Sequence, residues 1–138
     1  MDSKIERLSK ILLEHSVKLK KGEKILIEMI GTDCFDLACQ IIIQAKEIGA
    51  IPLFNIIDYK ILKELLINCN EKQIKEYAKY DLARMKNVDA YIGIRAADPK
   101  ELDGISKESM EIGQIFIGIL YVFKLQNLVE ERYILMRY

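Results

Sequence analysis

The sequence contains no tryptophan, only 2 prolines, 7 glycines and a single histidine, and its positive and negative charges balance. The scarcity of proline and glycine excludes collagen-like and low-complexity chains, and 51% hydrophobic with 30% charged residues is typical of a globular protein. Since 138 residues is close to the commonest domain size, we expect one domain with a buried core over residues 1–138.

The charges also limit the expected partners. Basic and acidic residues number 21 each and alternate along the chain, so no positive patch is expected to attract nucleic acid. The charged segment from Met1 to Arg7 lacks the apolar run of a secretory signal. The most apolar stretch, residues 112–123, holds about a dozen apolar residues, whereas a membrane-spanning helix needs roughly 20. We therefore expect a cytoplasmic protein that does not contact membranes.

Three cysteines and one histidine restrict the metal and nucleophile chemistry of the chain. Cys34 and Cys39 lie five residues apart on a predicted helix, which separates them by about 140°, so they do not face one metal. An odd number of unclustered cysteines is typical of reduced cytosolic thiols, and we expect Cys34, Cys39 and Cys69 to be structural and inert. His15 lies on the apolar stripe of the first predicted helix and is expected to be partly buried.

Hydrophobic periodicity predicts alternating helices and strands. Four short segments have the β-branched, apolar composition of strands, namely 24–30, 51–57, 90–96 and 133–137. Helices are predicted over about 3–19, 33–48, 58–66 and 70–86, and from 106 onward. Thr32 and Asp33 are suitable N-cap residues for the second of these helices, which Gly49 ends, and Asn70 with Gln73 resembles a capping box at the start of the fourth. Strand, helix and strand joined by tight connections predict a right-handed crossover with parallel strands. The predicted fold class is α/β, a mostly parallel sheet of about four strands with helices on both faces, doubly wound and Rossmann-like.

Helix-capping residues and a loop mark the predicted functional edge. Ligands of an open parallel sheet bind beyond the carboxyl ends of the strands. The loop from Gly31 to Asp33 offers backbone N–H groups to an anion, but no glycine-rich phosphate motif follows, and helix capping explains Asp33 equally well. Capping likewise explains Asp58. The candidate binding residues at this edge are Thr32, Asp58, Arg95 and Asp98.

Other acidic pairs are expected to be solvated. Glu130 and Glu131 are adjacent in sequence, and neighbours on a helix point apart, so they do not form a paired acid and base. No catalytic residue and no metal-binding residue is therefore predicted in this chain.

An ordered series of short segments carries a family resemblance. Besides Asp58, Leu65–Leu66 and Met85, the series consists of Ser16-Val17, Lys21 to Ile27, Gly49 to Pro52, Asn70 to Ile74 and Asp89 to Arg95. From about residue 2 to residue 104 it resembles, in one register, the start of the thermophilic aminopeptidase T family of leucyl-type metallo-aminopeptidases. Tyr133 to Tyr138 resembles a later family segment that precedes a proline.

The resemblance implies that the full protein removes N-terminal amino acids from peptides. It implies two divalent metal ions, zinc, cobalt or magnesium, held by Glu, His and Asp ligands of a C-terminal domain beyond residue 138. In such a family the N-terminal α/β domain shapes access to the active-site cavity and supports a homodimer. The chain alone is expected to hold no cofactor and to be inactive. Residues 110–131 depart from the family pattern, which is more polar there.

Two other functions stay open on the residues alone. One is a non-catalytic module of the same origin that dimerises or binds peptides. The other is an unrelated α/β domain that binds a small ligand at the strand edge, in which case binding should be lost when Thr32 or Arg95 is changed.

Overall fold

The computed structural model describes residues 3–114 and 132–138. Its strands are β1 (Lys24–Ile30), β2 (Ile51–Ile57), β3 (Ala90–Arg95) and β4 (Tyr133–Arg137). They form one sheet in the order β2-β1-β3-β4, and every neighbouring pair is parallel. The prediction of a four-stranded parallel α/β fold is therefore confirmed, with β3 ending one residue earlier than expected.

The helices connect these strands in the predicted order. They are α1 (Ser3–Ile11), α2 (Phe35–Ile48), α3 (Tyr59–Leu66) and α4 (Glu71–Lys86), and residues 107–114 are also helical. A π turn (Leu12–Ser16) follows α1, and a short 3₁₀ helix (Pro99–Leu102) follows β3. Within the two described ranges, no helix has both the length and the apolar composition that a membrane crossing requires.

Helices cover both faces of the sheet, as predicted. On one face Ile25, Ile27 and Met29 of β1 pack with α1 and α2. On the other face Leu26 packs with the C-terminal end of α4 and with the tyrosines of β3 and β4. Alternate residues of β1 thus enter two separate cores, which explains why nearly the whole strand is apolar and buried.

The end of the first helix differs from the prediction. Instead of one α-helix to about residue 19, α1 gives way to the π turn, which holds one more residue than an α turn. The extra residue rotates the helix surface, so that Leu12, Leu13 and Val17 are buried while His15 is exposed. The prediction of a partly buried His15 is therefore wrong.

Local capping determines where α3 and α4 begin. The Asp58 carboxylate accepts the N–H of Lys60 at 2.7 Å and caps α3. At the start of α4, Asn70 and Gln73 form the predicted capping box, each side chain accepting the backbone N–H of the other.

The start of α2 differs from the prediction. Its N-cap position is Cys34, which makes no side-chain capping bond, so the assignment of this cap to Thr32 or Asp33 is wrong. The Cys34 side chain is fully buried in the core, and its thiol lies 3.7 Å from the carbonyl oxygen of Gly31. The helix α2 therefore begins at a buried side chain and not at a polar cap. The predicted solvated pair Glu130 and Glu131 lies outside the described residues.

Candidate functional site

The carboxyl ends of β1, β2 and β3 meet at one edge of the sheet, as the parallel topology requires. The Gly31 N–H donates to the carbonyl oxygen of Ile57 at 2.9 Å. The Ala96 N–H donates to the carbonyl oxygen of Ile30 at 2.7 Å. The three loops that follow these strands, which contain the predicted binding residues, are therefore brought together.

The loops after β1 and β3 touch at the edge where a crevice is expected. The strand order reverses between β1 and β3, where a doubly wound sheet usually binds its ligand. Here Gly31 has a φ of +97°, and a Cβ atom at this position would lie 2.9 Å from the backbone of both Ala96 and Ala97. The two loops are thus in direct backbone contact at Gly31.

The four candidate residues have different surroundings. Asp58 caps α3, and the Asp98 carboxylate accepts the Lys100 N–H at 3.0 Å, which caps the 3₁₀ helix. Both carboxylates therefore have structural partners. Thr32 is exposed on its loop. Arg95 is exposed at the end of β3 and lines a cavity on the α4 face of the sheet, which makes it the candidate with the best-defined surroundings.

That cavity has a volume of about 220 Å³ and lies between the sheet, α3 and α4. Most of its described wall is apolar, formed by leucines of α3, Ile74 and Met85 of α4, and Leu135 of β4. Polar and charged groups of the wall include Glu28, Tyr77, Asp81, Arg84 and Arg95. An apolar cavity with a few polar groups is the usual form of a small-ligand site.

A buried carboxylate lies at the floor of this cavity. Glu28 is in the middle of β1 and only 6% exposed. The Tyr91 hydroxyl donates to its Oε1 atom at 2.8 Å, and the Asn55 amide donates to its Oε2 atom at 3.2 Å. These bonds stabilise a polar side chain that burial alone would disfavour. They also link β1 to both of its neighbours.

Gly93 provides the space for this arrangement. It is the residue of β3 opposite Glu28, and a Cβ atom there would lie 2.5 Å from the Tyr91 hydroxyl oxygen. Burial raises the pKa of Tyr91, and the neighbouring Glu28 carboxylate raises it further. The phenol therefore stays protonated and acts as a hydrogen-bond donor.

Sequence reasoning missed this polar centre. Its signals are present, since Glu28 interrupts an apolar strand and Asn55 interrupts the next. Their pairing with Tyr91 depends on strand order, because residues 63 positions apart meet there.

The described residues offer no ligand set for a metal. No group of three or more His, Cys, Asp or Glu side chains in residues 3–114 and 132–138 is arranged to hold an ion. Cys34 and Cys69 are buried, Cys39 is exposed, and all three are free thiols. Burial raises the pKa of Cys34, which favours the protonated thiol over the thiolate.

Comparisons with known proteins agree with the fold. Wild-type AmpT from Thermus thermophilus has a similar structure, with a TM-score of 0.70 and 18% sequence identity. The match covers 97% of this chain and 35% of that chain, so this chain spans about a third of the AmpT length. No curated protein matches the sequence. The model of one family, described as thermophilic metalloprotease (M29), matches residues 1–118. Because that match covers most of the sequence, the chain belongs to the thermophilic metalloprotease (M29) family.

Proposed function

We propose that this chain is the N-terminal scaffold and substrate-access domain of a metal-dependent aminopeptidase. The family match over residues 1–118 carries the proposal, because it assigns the chain to a family of metalloproteases. The chain also corresponds to 35% of a structurally similar protein. In this proposal the whole enzyme hydrolyses N-terminal residues from peptides, and residues 1–138 form one of its domains.

The catalytic metal is proposed to be bound outside the described residues. A divalent ion, zinc, cobalt or magnesium, is expected for such an enzyme, but the described side chains do not fit it, because none form a cluster of ligands. No step of peptide hydrolysis is therefore assigned to them. Their proposed role is to support and shape the path by which peptides reach the catalytic domain.

The architecture supports a scaffold role. The sheet has two buried cores, and hydrogen bonds from Tyr133 to the carbonyl oxygens of Met85 and Val88 tie β4 to the end of α4. A rigid domain of this kind can hold the wall of an access path in place. The enzyme is further proposed to act in the cytoplasm as a homodimer, with peptides as its substrates.

Hydrolysis of leucine p-nitroanilide tests the proposal. The 138-residue chain and a version extended through the following reading frame would be assayed with added zinc, cobalt or magnesium, and with a chelator as the control. We expect metal-dependent hydrolysis by the extended protein alone. Activity of the short chain would contradict the assignment of the metal to another domain. Inactivity of both proteins would contradict the enzymatic role and favour a non-catalytic module.

A further inference from the structure

The outer side of β2 is an edge of the sheet. Among the described strands, only β1 pairs with it. The Ile51 N–H donates to the carbonyl oxygen of Glu23 at 2.8 Å, and the carbonyl oxygen of Ile57 accepts from Gly31 at 2.9 Å. Since backbone groups point alternately to the two sides of a strand, those of Pro52, Phe54 and Ile56 point outward.

These outward groups are suited to pairing. Phe54 and Ile56 each offer one N–H and one carbonyl oxygen to a further strand. Pro52 has no N–H, but its outward position means that no bond to β1 is lost. Edge strands usually carry charged side chains that prevent pairing with another chain, whereas β2 has the sequence IPLFNII and no charge. This edge therefore lacks that protection.

The side chains beside the edge are also apolar and exposed. Phe54 is 62% exposed and Ile56 is 44% exposed. On the α2 face they line a shallow groove together with Phe35, Cys39 and Ile42 of α2. A continuous apolar surface of this kind usually marks an interaction site.

We propose that two copies of this chain pair through the outer edge of β2, which joins their sheets into one. This inference rests on the homodimer of the proposed function and names its interface. A two-fold axis that relates identical strands of one sheet makes them antiparallel and the contact self-complementary. Phe54 then lies opposite Phe54 of the second copy, and Pro52 lies opposite Ile56.

This register explains why the partner is a second copy. The two Phe54 residues exchange N–H to carbonyl bonds in both directions, and each Ile56 N–H donates to the opposite Pro52 carbonyl oxygen. Every outward N–H of the edge thus finds an acceptor. Pro52, which lacks an N–H, lies opposite Ile56, whose N–H still forms a bond between the two strands. With no charge on either strand, no repulsion opposes the contact. The pairing also covers the apolar groove beside α2.

Sedimentation velocity of two matched variants tests this interface. Phe54→Lys places like charges directly opposite each other across the two-fold axis, which destabilises antiparallel pairs. Tyr80→Lys is the control, since Tyr80 is an aromatic residue of α4 that is 72% exposed. We expect the wild type and Tyr80→Lys to be dimeric, and Phe54→Lys to dimerise roughly 100-fold more weakly.

Amide hydrogen exchange of the same proteins tests the register. The backbone N–H groups at positions 54 and 56 should exchange slowly in the wild-type dimer and rapidly in the monomer of the Phe54→Lys variant. Those of Leu53 and Asn55 point toward β1 and should be protected in both. A dimer that survives Phe54→Lys, or one in which the Phe54 and Ile56 amides exchange rapidly, would overturn this interface while the homodimer and the peptidase role remain.

Two further outcomes would also overturn the proposal. A monomeric wild type would contradict both the interface and the homodimer, without bearing on peptide hydrolysis. Protection of the two outward amides in a monomeric protein by the extended peptide Leu-Ala-Leu-Ala-Leu would show that the edge binds peptides instead of a second copy.

Discussion

Strands β1 and β2 are neighbours with similar apolar sequences, KILIEMI and IPLFNII, yet their burial is opposite. Five consecutive residues of β1 are buried, while no residue of β2 is fully buried. The difference follows from their places in the sheet, since among the described strands β1 has a neighbour on each side and β2 has a neighbour on one side. An apolar strand sequence therefore predicts a strand but does not tell a central strand from an edge.

The largest expected difference in the free energy of unfolding comes from making the same Ile→Ala substitution in each of the two strands. Ile27 of β1 and Ile56 of β2 project from the same face, but Ile27 is 0% exposed and Ile56 is 44% exposed. Ile27→Ala should lower the free energy of unfolding by about 3 kcal/mol, because it leaves a cavity in the core. Ile56→Ala should cost about 1 kcal/mol or less. Urea denaturation of dilute samples measures both values, and equal losses would contradict the difference in burial.

The next largest difference in stability is expected between Gly→Ala substitutions at the two glycines that flank β1. Gly31 and Gly22 both have positive φ angles, but a Cβ atom at Gly31 would meet the backbone of β3's loop, whereas one at Gly22 would meet nothing within 4 Å. Gly22→Ala should cost about 1 kcal/mol through backbone strain alone. Gly31→Ala should cost about 2 to 3 kcal/mol, because the loops must also separate. Thermal unfolding compares the two, and similar melting temperatures would show that the loops are not in close contact.

The hydrogen bonds that Glu28 of β1 accepts from its two neighbouring strands allow a third comparison of the buried side and the edge side of the sheet. Tyr91 of β3 is buried and bonds Glu28 at 2.8 Å, whereas the bond from Asn55 of β2 is 3.2 Å and partly buried. Tyr91→Phe should cost about 2 kcal/mol and Asn55→Ala about 1 kcal/mol, because the more deeply buried bond is harder to replace with water. Chemical denaturation at pH 7 gives both values. The reverse order would show that the bond from the edge strand β2 contributes more to stability than the bond from β3.

The smallest effect concerns the residue before β1. The Arg132 guanidinium bonds the Glu23 carboxylate and lowers the pKa of that carboxyl. A lowered pKa in the folded state stabilises the protein above the ordinary glutamate value, and the contribution is lost as the pH falls through the lowered pKa. Glu23→Gln should therefore cost less than about 1 kcal/mol at pH 7.

The pH series supplies the control for this last prediction. The difference between the wild type and Glu23→Gln should shrink as the pH falls below about 4.3, the ordinary pKa of glutamate. A difference that stays constant from pH 7 to about pH 3 would show that the pair contributes through packing and not through charge.

The secondary structure and two of its caps were predictable from sequence. Asp58 caps α3 through an N–H two residues away, and Asn70 and Gln73 lie three residues apart. Such contacts are decided within one turn of chain, so residue identity and spacing suffice. Gly49, in the left-handed conformation that ends α2, belongs to the same group.

The four candidate binding residues stay a prediction, and the structure shows the surroundings of each. Arg95 lines the cavity, Asp58 and Asp98 cap helices, and Gly31 lies in close contact with the loop after β3. The polar centre around Glu28 was not predicted, because its partners come from two other strands. The predictions for His15 and for the start of α2 were wrong because a π turn follows α1 and because the N-cap position of α2 is the buried Cys34.

Local patterns in the sequence were enough to establish the alternation of helices and strands, the parallel α/β class and the family to which the chain belongs. These depend on periodicity, short-range capping and the order of short motifs, all of which are readable along one chain. The folded arrangement was needed to establish which apolar strand is central and which is an edge, and which loops contact each other. These depend on strand order, because burial is determined by neighbours that are distant in sequence.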